Sequence, residues 1–265
     1  MAHFPQMLST ACVAQYPLAR RRRLRTIRND TVDGRRFVLA DAGASWLEWD
    51  LTWAGLTEVE LALLRDFFAA REGRLETFVF LDPMGNLLAR SEELEEPPWE
   101  NGPLLAFVDG IADPLGNTRA TRLTNAAAAM QALTQEVDAP GDYQLCMSLW
   151  ARSASPVNIT LRRTAGAGSQ TQLIRSSTMW TRFEFPSKLS STTAPSTLAV
   201  ELPAGAIVEL FGLQAEAQPA ASTYQKSTAT GGVFTARFAQ DQLALTAAGL
   251  DNFGARVRVR ARVEG

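Results

Sequence analysis

The sequence predicts a mainly β protein with one clear α-helix, and three observations lead to that fold class. Apolar and polar residues alternate over 46–53 and 255–263, which is typical of strands with one buried face. Short strand-like runs separated by polar turns recur from about 104 to 223, as in an antiparallel sandwich. One segment, from Thr57 to Gly73, carries the signals of a capped amphipathic helix.

The clearest strand and the clearest helix follow one another near the N-terminus. In 46–53 the residues that share the expected apolar face are Leu47, Trp49, Leu51 and Trp53. Thr57 then fits the N-cap of a helix, and Glu60 completes a capping box three residues later. Apolar side chains follow at helical spacing, at Leu61, Leu64, Phe67 and Phe68. Gly73 is placed to end the helix as a left-handed C-cap.

Further strands are expected along the rest of the chain. The strand-like runs are 76–81, 144–152, 158–163, 172–175, 179–185, 197–202, 207–213, 233–238 and 255–263. Residues 1–45 are interpreted as turn-rich and locally basic, and 125–134 has the propensity of a helix without a pattern that decides it. In the last strand small apolar residues occupy one face and four arginines the other.

Composition argues against most catalytic classes. The 265 residues are 46% hydrophobic with a net charge of −2, which indicates a globular chain of one or two domains without a general attraction for nucleic acid. No apolar stretch approaches the roughly 20 residues of a membrane-spanning helix. The two cysteines, Cys12 and Cys146, are too few for a disulfide framework, and the single histidine, His3, excludes a metal site that needs two histidines. The place of His3 at the frayed start of the chain also argues against a nucleophile–histidine pair. We therefore expect no enzyme activity, no metal and no cofactor.

Carboxylate-only hydrolysis is the one catalytic class that this composition leaves open. A glycosidase needs two carboxylates at a defined separation across the sugar. A cluster beside Pro97 and Pro98 supplies carboxylates, namely Glu92, Glu93, Glu95, Glu96 and Glu100. Because these residues lie in a segment rich in breakers, we interpret them as a solvated connection.

A pattern of strand, helix and strand near the N-terminus resembles a family of phage proteins. An amphipathic strand, a helix ending in F-F-x-x-R-x-G and a strand closing with F-x-F-x-D-P-x-x-N succeed one another between 46 and 86. This order resembles the N-terminal part of bacteriophage distal-tail or tail-tip hub proteins and related minor tail proteins. The resemblance covers roughly the first 90 residues.

A second resemblance begins at Asn86. The motifs that carry it lie at 86–88, 91–92, 99, 113–116, 120–123, 148–152, 180–183, 211–216 and 223–224. They resemble the carbohydrate-binding-module-like jelly roll that many phage tail and fibre proteins carry. The resemblance implies a galactose-binding-like β-sandwich, which in that family sometimes binds sugar and often has only an architectural role.

Together the two resemblances imply an inserted domain. Residues 1–85 and 225–265 would form one split tail-hub domain of the β-sandwich or barrel type, and 86–224 would form the jelly roll. Composition shifts at Asn86 and again after Tyr224, as expected at the borders of an insertion.

Two strands of the expected sandwich carry candidate glycan-binding residues. If 144–152 and 179–185 are neighbours, Trp150, Arg152, Trp180 and Arg182 share one surface. An aromatic plane beside a forked donor suits the C–H face and hydroxyl groups of a sugar. The alternative is that both tryptophans are packed in the protein with the arginines stacked on them.

The arginines at the two ends of the chain are candidate interface residues. They are Arg20, Arg21, Arg22 and Arg23 near the N-terminus and Arg256, Arg258, Arg260 and Arg262 in the last strand. Contacts with DNA are one interpretation. The near-neutral total charge and the absence of a nucleic-acid-binding motif favour contacts with a neighbouring subunit.

The sequence and its resemblances together predict a structural virion protein of a phage tail tip or baseplate. The resemblance implies a homo-oligomeric ring, a hexamer, that joins the tail tube to the tip, carries the sandwich outside and lets DNA pass as cargo. Its partners would be itself, the tail tube protein, other tail-tip and fibre proteins and a host surface glycan. It would be assembled in the host cytoplasm and located in the virion, without a membrane. The alternative is a carbohydrate-binding host-attachment or fibre-adaptor protein.

Overall fold

The computed structural model describes residues 1–190 and 192–263, and it confirms a mainly β chain with one α-helix among these residues. The helix α1 spans Glu58–Ala70. The strands are β1 (Ala19–Asp30), β2 (Arg36–Leu56), β3 (Phe78–Leu81), β4 (Glu100–Asn101), β5 (Leu105–Ile111), β6 (Ala120–Asn125), β7 (Gln131–Pro140), β8 (Leu145–Arg152), β9 (Asn158–Ala165), β10 (Gly168–Arg175), β11 (Thr181–Ser187), β12 (Pro195–Leu202), β13 (Ile207–Glu216), β14 (Val233–Phe238), β15 (Ala244–Gly249) and β16 (Asn252–Arg262). Nothing helical in these ranges has the length and hydropathy to cross a bilayer. Ser191, Glu264 and Gly265, which fall within the predicted domains, lie outside the described residues.

The start of α1 confirms the predicted capping box. The Glu60 amide donates to Thr57 Oγ1 at 3.2 Å, and the Thr57 amide donates to Glu60 Oε2 at 3.0 Å. The predicted C-cap is wrong, because the helix ends at Ala70 and Arg71 is the C-cap. The chain leaves the helix early because Glu72 already adopts a φ of 47° while its amide donates to the Ala69 carbonyl.

The chain forms two compact units. Unit 1 comprises residues 1–8, 13–80 and 234–265, and unit 2 comprises 9–12 and 81–233. Unit 1 is built on sheet I, whose strand order is β1-β2-β16-β14-β3, with β15 also paired to β16. The alternation predicted for β2 and β16 is present at Trp49, Leu51, Trp53, Val257 and Val259, which are buried. Leu47 and Glu48 depart from it, because Leu47 is only half-buried and Glu48 of the opposite face is buried.

Unit 1 carries a long hairpin that sequence reasoning missed. β16 pairs with β2 only from Trp46 to Leu56, whereas β1 and β2 continue to pair over 25–30 and 36–41. We call this two-stranded extension, residues 25–41, the arm. Residues 1–45 were expected to be turn-rich, and that expectation is wrong for the arm. Residues 25–40 are all exposed, so no buried face imposes the alternation by which strands are recognised.

Unit 2 is a β-sandwich of two five-stranded antiparallel sheets. Sheet II has the order β10-β9-β12-β7-β4, and sheet III has the order β11-β8-β13-β6-β5. The segment 125–134, which sequence left open as a helix, instead contains the end of β6, the connection 126–130 and the start of β7. Asn125 holds this connection, because its side-chain amide donates to the carbonyls of Ala129 and Leu202, each at 2.9 Å.

A buried arginine, Arg163 on β9, ties loops of unit 2 together. The side chain of Arg163 is fully buried. Its guanidinium donates five hydrogen bonds of 2.7 to 3.1 Å, to the carbonyls of Pro140, Gly141, Tyr143 and Ser187 and to the hydroxyl of Ser196. Burial lowers the pKa of Arg163 to about 10, against the attraction of Asp142, so the guanidinium stays charged at neutral pH. Arg163 therefore satisfies carbonyls that would otherwise be buried without a donor.

We expect Arg163→Ala to lower the free energy of unfolding of unit 2 by about 3 kcal/mol or more, because it leaves several buried acceptors unpaired. The matched control is Arg162→Ala, one residue earlier on β9. Arg162 forms an ion pair with Glu201 at 2.6 Å and is 40% exposed. The Glu201 side chain is only 8% exposed, so replacement of Arg162 should cost about 1–2 kcal/mol, still less than the loss of Arg163. Equal losses for the two variants in denaturant unfolding would contradict the role assigned to Arg163.

Candidate functional site

The candidate site lies on the outer face of sheet III, the side turned away from the sandwich core. Alternation along β8 sets this face: Leu149 and Ala151 are buried in the core, while Trp150 and Arg152 point outward and are half-buried. β11 lies directly beside β8, with Arg182 opposite Trp150. The four candidate glycan-binding residues therefore share one face, as their strand positions suggested.

The four residues form two stacked pairs that cross between the strands. The Arg182 guanidinium lies 4.5 Å from the centre of the Trp150 ring, and the Arg152 guanidinium lies 4.7 Å from the centre of the Trp180 ring. Both distances are within the range of cation–π attraction. Each arginine is thus held by an indole.

Trp150 is packed against its own unit. Its ring centre lies 5.6 Å from that of Phe211 and 6.1 Å from that of Tyr224. Gly212, with a φ of 65°, lies against the same ring, and a Cβ there would stand 2.8 Å from two of its atoms. Arg182 is fixed as well, since it donates to the Ser222 carbonyl at 2.6 Å. Trp150 and Arg182 therefore match the packed alternative considered from the sequence.

Arg152 belongs to a second arrangement, which crosses sheet III from β8 through β13 to β6. Glu209 lies opposite Arg152 on one side and opposite Arg122 on the other. Arg152 Nε donates to Glu209 Oε2 at 2.5 Å, and Arg122 donates to Oε1 through Nη2 at 2.6 Å and through Nε at 3.1 Å. We call these three residues the arginine–glutamate row.

The charge of Glu209 is stabilised by this row. Its partial burial by itself would raise the pKa of the carboxyl group. The hydrogen bonds and positive charges of Arg122 and Arg152 outweigh burial and hold the pKa below its ordinary value. The row is therefore ionised at neutral pH.

An open cleft of about 450 Å³ lies over the row. Its lining residues are Arg122, Arg152, Ser153, Ala154, Thr178, Ile207 and Glu209. Its volume falls in the range of small-molecule sites, which is roughly 300–1,000 Å³. Since Arg152 also contacts the half-buried Trp180, the cleft combines charged donors, hydroxyl-bearing side chains and a neighbouring aromatic ring.

Sequence reasoning found Arg152 and Trp180 but not the rest of the cleft. Arg122 and Glu209 are 87 residues apart in the chain and meet only because β6 pairs with β13. No local spacing signals such a pairing. The missed residues could have been found only from the strand order of sheet III.

The candidate interface arginines lie on sheet I of unit 1, where β2 runs between β1 and β16. One face of the sheet carries Trp46, Glu48, Asp50 and Thr52 of β2, and the pairing register places Arg21, Arg23 and the four arginines of β16 on that same face. Arg20 and Arg22 lie on the other face, because they pair opposite Trp49 and Leu47. Arg258 donates to Asp50 Oδ1 at 2.6 Å, and Arg21 pairs with the second oxygen of Asp50. The predicted cluster is therefore divided between two faces, and several of its members pair with carboxylates of their own unit.

The glutamates near the start of unit 2 do not share one environment. Glu93, Glu95 and Glu96 are exposed, as expected for a solvated connection. Glu92 differs, since its side chain is only 5% exposed and pairs with Lys226 at 2.7 Å and Arg119 at 3.4 Å. Interpretation of Glu92 as a solvated charge is therefore wrong, because basic residues distant in the chain enclose it.

No protein-family model matches the sequence. No curated protein matches it either.

Similar solved structures include carbohydrate-binding modules and a phage tailspike domain. The module TmCBM61, in complex with β-1,4-galactotriose, has a TM-score of 0.40 at 18% identity, over 50% of this chain and 99% of that chain. The CBM22-1 xylan-binding domain of Paenibacillus barcinonensis Xyn10C has a TM-score of 0.41 at 12% identity, over 51% of this chain and 96% of that chain. The enzymatically active domain of bacteriophage CBA120 tailspike protein 4 has a TM-score of 0.41 at 12% identity, over 52% of this chain but only 22% of that chain.

We expect Gly212→Ala to lower the free energy of unfolding of unit 2 by about 1–3 kcal/mol beyond its matched control, because a Cβ would displace the Trp150 ring. The control is Gly116→Ala, which has a similarly positive φ of 85° but nothing within 4 Å of the added Cβ. The near-ultraviolet circular dichroism of the indoles should change only in Gly212→Ala. Equal effects of the two substitutions would mean that the ring does not depend on this close approach.

Proposed function

We propose that unit 2 binds carbohydrate at the cleft on the outer face of sheet III, in a protein of a phage tail tip. The observation that carries this proposal is the arginine–glutamate row, which holds two forked donors at the cleft beside the Trp180 ring. Sugars present hydroxyl groups around an apolar C–H face, and this combination of side chains suits both. No reaction is proposed for the cleft.

The placement of Trp150 refines which residues we propose for binding. Trp150 and Arg182 do not line the cleft and are packed within the unit, since their partners are Phe211, Tyr224 and the Ser222 carbonyl. Arg152 lines the cleft directly. Trp180 holds the Arg152 guanidinium in position by stacking against it. The proposed contact residues are therefore Arg122 and Arg152, and Trp180 is proposed as the residue that positions Arg152.

Binding of a glycan array by the purified chain tests this proposal. We expect the wild type to bind a subset of saccharides and Trp180→Ala to weaken that binding about three- to tenfold, because the cation–π partner of Arg152 is lost. Trp180→Phe keeps an aromatic ring and should retain most of the affinity. Arg175→Ala, on β10 of the other sheet, is the control for a lost surface charge. A folded wild-type chain that binds no saccharide would overturn the proposal.

A second candidate function is assembly with other copies of the chain, and the arm favours it. On one face of the arm Ile27, Phe37 and Leu39 lie together and are 42 to 58% exposed. A two-stranded hairpin is marginally stable alone in water, and a neighbouring copy would cover these side chains. In the proposed tail tip such copies form the ring, a hexamer by resemblance, that contacts the tail tube and the other tip and fibre proteins and lets DNA pass as cargo.

Native mass spectrometry tests assembly. We expect the full chain to form a closed oligomer and the double variant Phe37→Ser, Leu39→Ser to remain monomeric, because the apolar face of the arm is lost. Val38→Ser is the matched control, since Val38 is 59% exposed but lies on the opposite face of the arm. A chain that stays monomeric at every concentration, or a double variant that still assembles, would contradict assembly through this face.

A further inference from the structure

In the cleft the two arginine side chains are more exposed to solvent than the glutamate with which they pair. The side chains of Arg122 and Arg152 are 45% and 31% exposed, whereas that of Glu209 is 11% exposed. A molecule entering the cleft therefore meets guanidinium groups before it meets the carboxylate. Two arginines against one glutamate also leave the row with a net positive charge.

The acceptors at the base of the cleft are already engaged. Both oxygens of Glu209 accept from guanidinium nitrogens, Oε1 from Arg122 and Oε2 from Arg152. The Ser153 hydroxyl lies 2.6 Å from both the Ser155 carbonyl and the Ser176 hydroxyl. The exposed Thr178 adds one further hydroxyl group to the lining. A ligand would therefore find fewer oxygen atoms that can accept from its hydroxyl groups than N–H groups that can donate to it.

Donors, in contrast, are left over. The Glu209 bonds use Nε and Nη2 of Arg122 and only Nε of Arg152. Nη1 of each arginine is not engaged by Glu209, and Arg152 Nη2 reaches the Ala112 carbonyl only at 3.4 Å. The cleft therefore offers N–H groups and positive charge to a ligand that accepts hydrogen bonds.

This imbalance distinguishes between classes of saccharide. A neutral sugar presents hydroxyl groups that donate as well as accept, and sites for it commonly supply carboxylate or amide oxygens. A carboxylate only accepts, carries the complementary charge, and matches the planar fork of a guanidinium in geometry. From this donor surplus we infer that the ligand of the cleft is an acidic saccharide whose carboxylate is bound by Arg122 and Arg152. This inference rests on the carbohydrate binding proposed above and names the class of sugar.

Two pairs of saccharide probes test the inference. Within one pair the members differ only in charge, and within the other they differ by one acidic sugar unit. The first pair is an oligogalacturonate and its fully methyl-esterified form, and the second is sialyllactose and lactose. Isothermal titration calorimetry should show binding of at least one acidic member and at least about tenfold weaker binding of its neutral counterpart, the amount expected for one charge-assisted hydrogen bond. The preference should weaken as the salt concentration rises.

Matched variants locate the preference in the cleft. Arg122→Gln and Arg152→Gln retain polar side chains without the charge, and each should reduce binding of the acidic probe about tenfold or more in a chain that is still folded. Arg175→Gln removes an equal charge from sheet II and should leave binding unchanged. If all three variants bind like the wild type, the acidic sugar is held elsewhere and the inference is wrong.

The outcomes separate this inference from the proposed function. Equal affinity for acidic and neutral members, or binding of neutral glycans only, would overturn the inference and leave carbohydrate binding in place. A preference for sulfated or phosphorylated saccharides over carboxylates would overturn the assignment to a carboxylate. Failure of the folded wild type to bind any saccharide would overturn both.

Discussion

The alternation of β8 is the constraint on which the candidate site depends. Because Leu149 and Ala151 are buried in the sandwich core, the alternating residues Trp150 and Arg152 point outward. A shift of one residue would reverse every side chain of the strand, so the buried face fixes the register strongly. The same register places Glu209 of β13 opposite Arg152. Packing of the core therefore determines which charges meet on the surface.

A similar electrostatic arrangement occurs in both units. In unit 2 Glu209 lies between Arg122 and Arg152, and in unit 1 Asp50 accepts from Arg258 on one side and pairs with Arg21 on the other. In each case one carboxylate on an inner strand of the sheet pairs with two arginines on the adjacent strands. The surface of the sheet there carries one more positive than negative charge. A chain of nearly zero net charge thus presents locally cationic surfaces.

Sequence reasoning succeeded where a local pattern has a local cause. The capping box of Thr57 and Glu60, the alternation of β2 and β16, and the shared face of Trp150 and Arg152 follow from spacing alone. It failed where the cause is tertiary. Pairing of β6 with β13, the packing of Gly212 on Trp150 and the exposed arm leave no periodic trace in the sequence, because distant segments create the first two and no core shapes the third.

The most direct test of the central claim, that the cleft on sheet III binds a saccharide, is a nuclear magnetic resonance titration of the labelled chain with the best ligand found. If the cleft binds the saccharide, chemical-shift changes concentrate at Arg122, Arg152, Ser153 and Thr178, which line the cleft, and at the Trp180 indole. Sheet II and unit 1 should remain unchanged. Changes centred on either of those regions, with the cleft residues unaffected, would show that the saccharide binds outside the cleft.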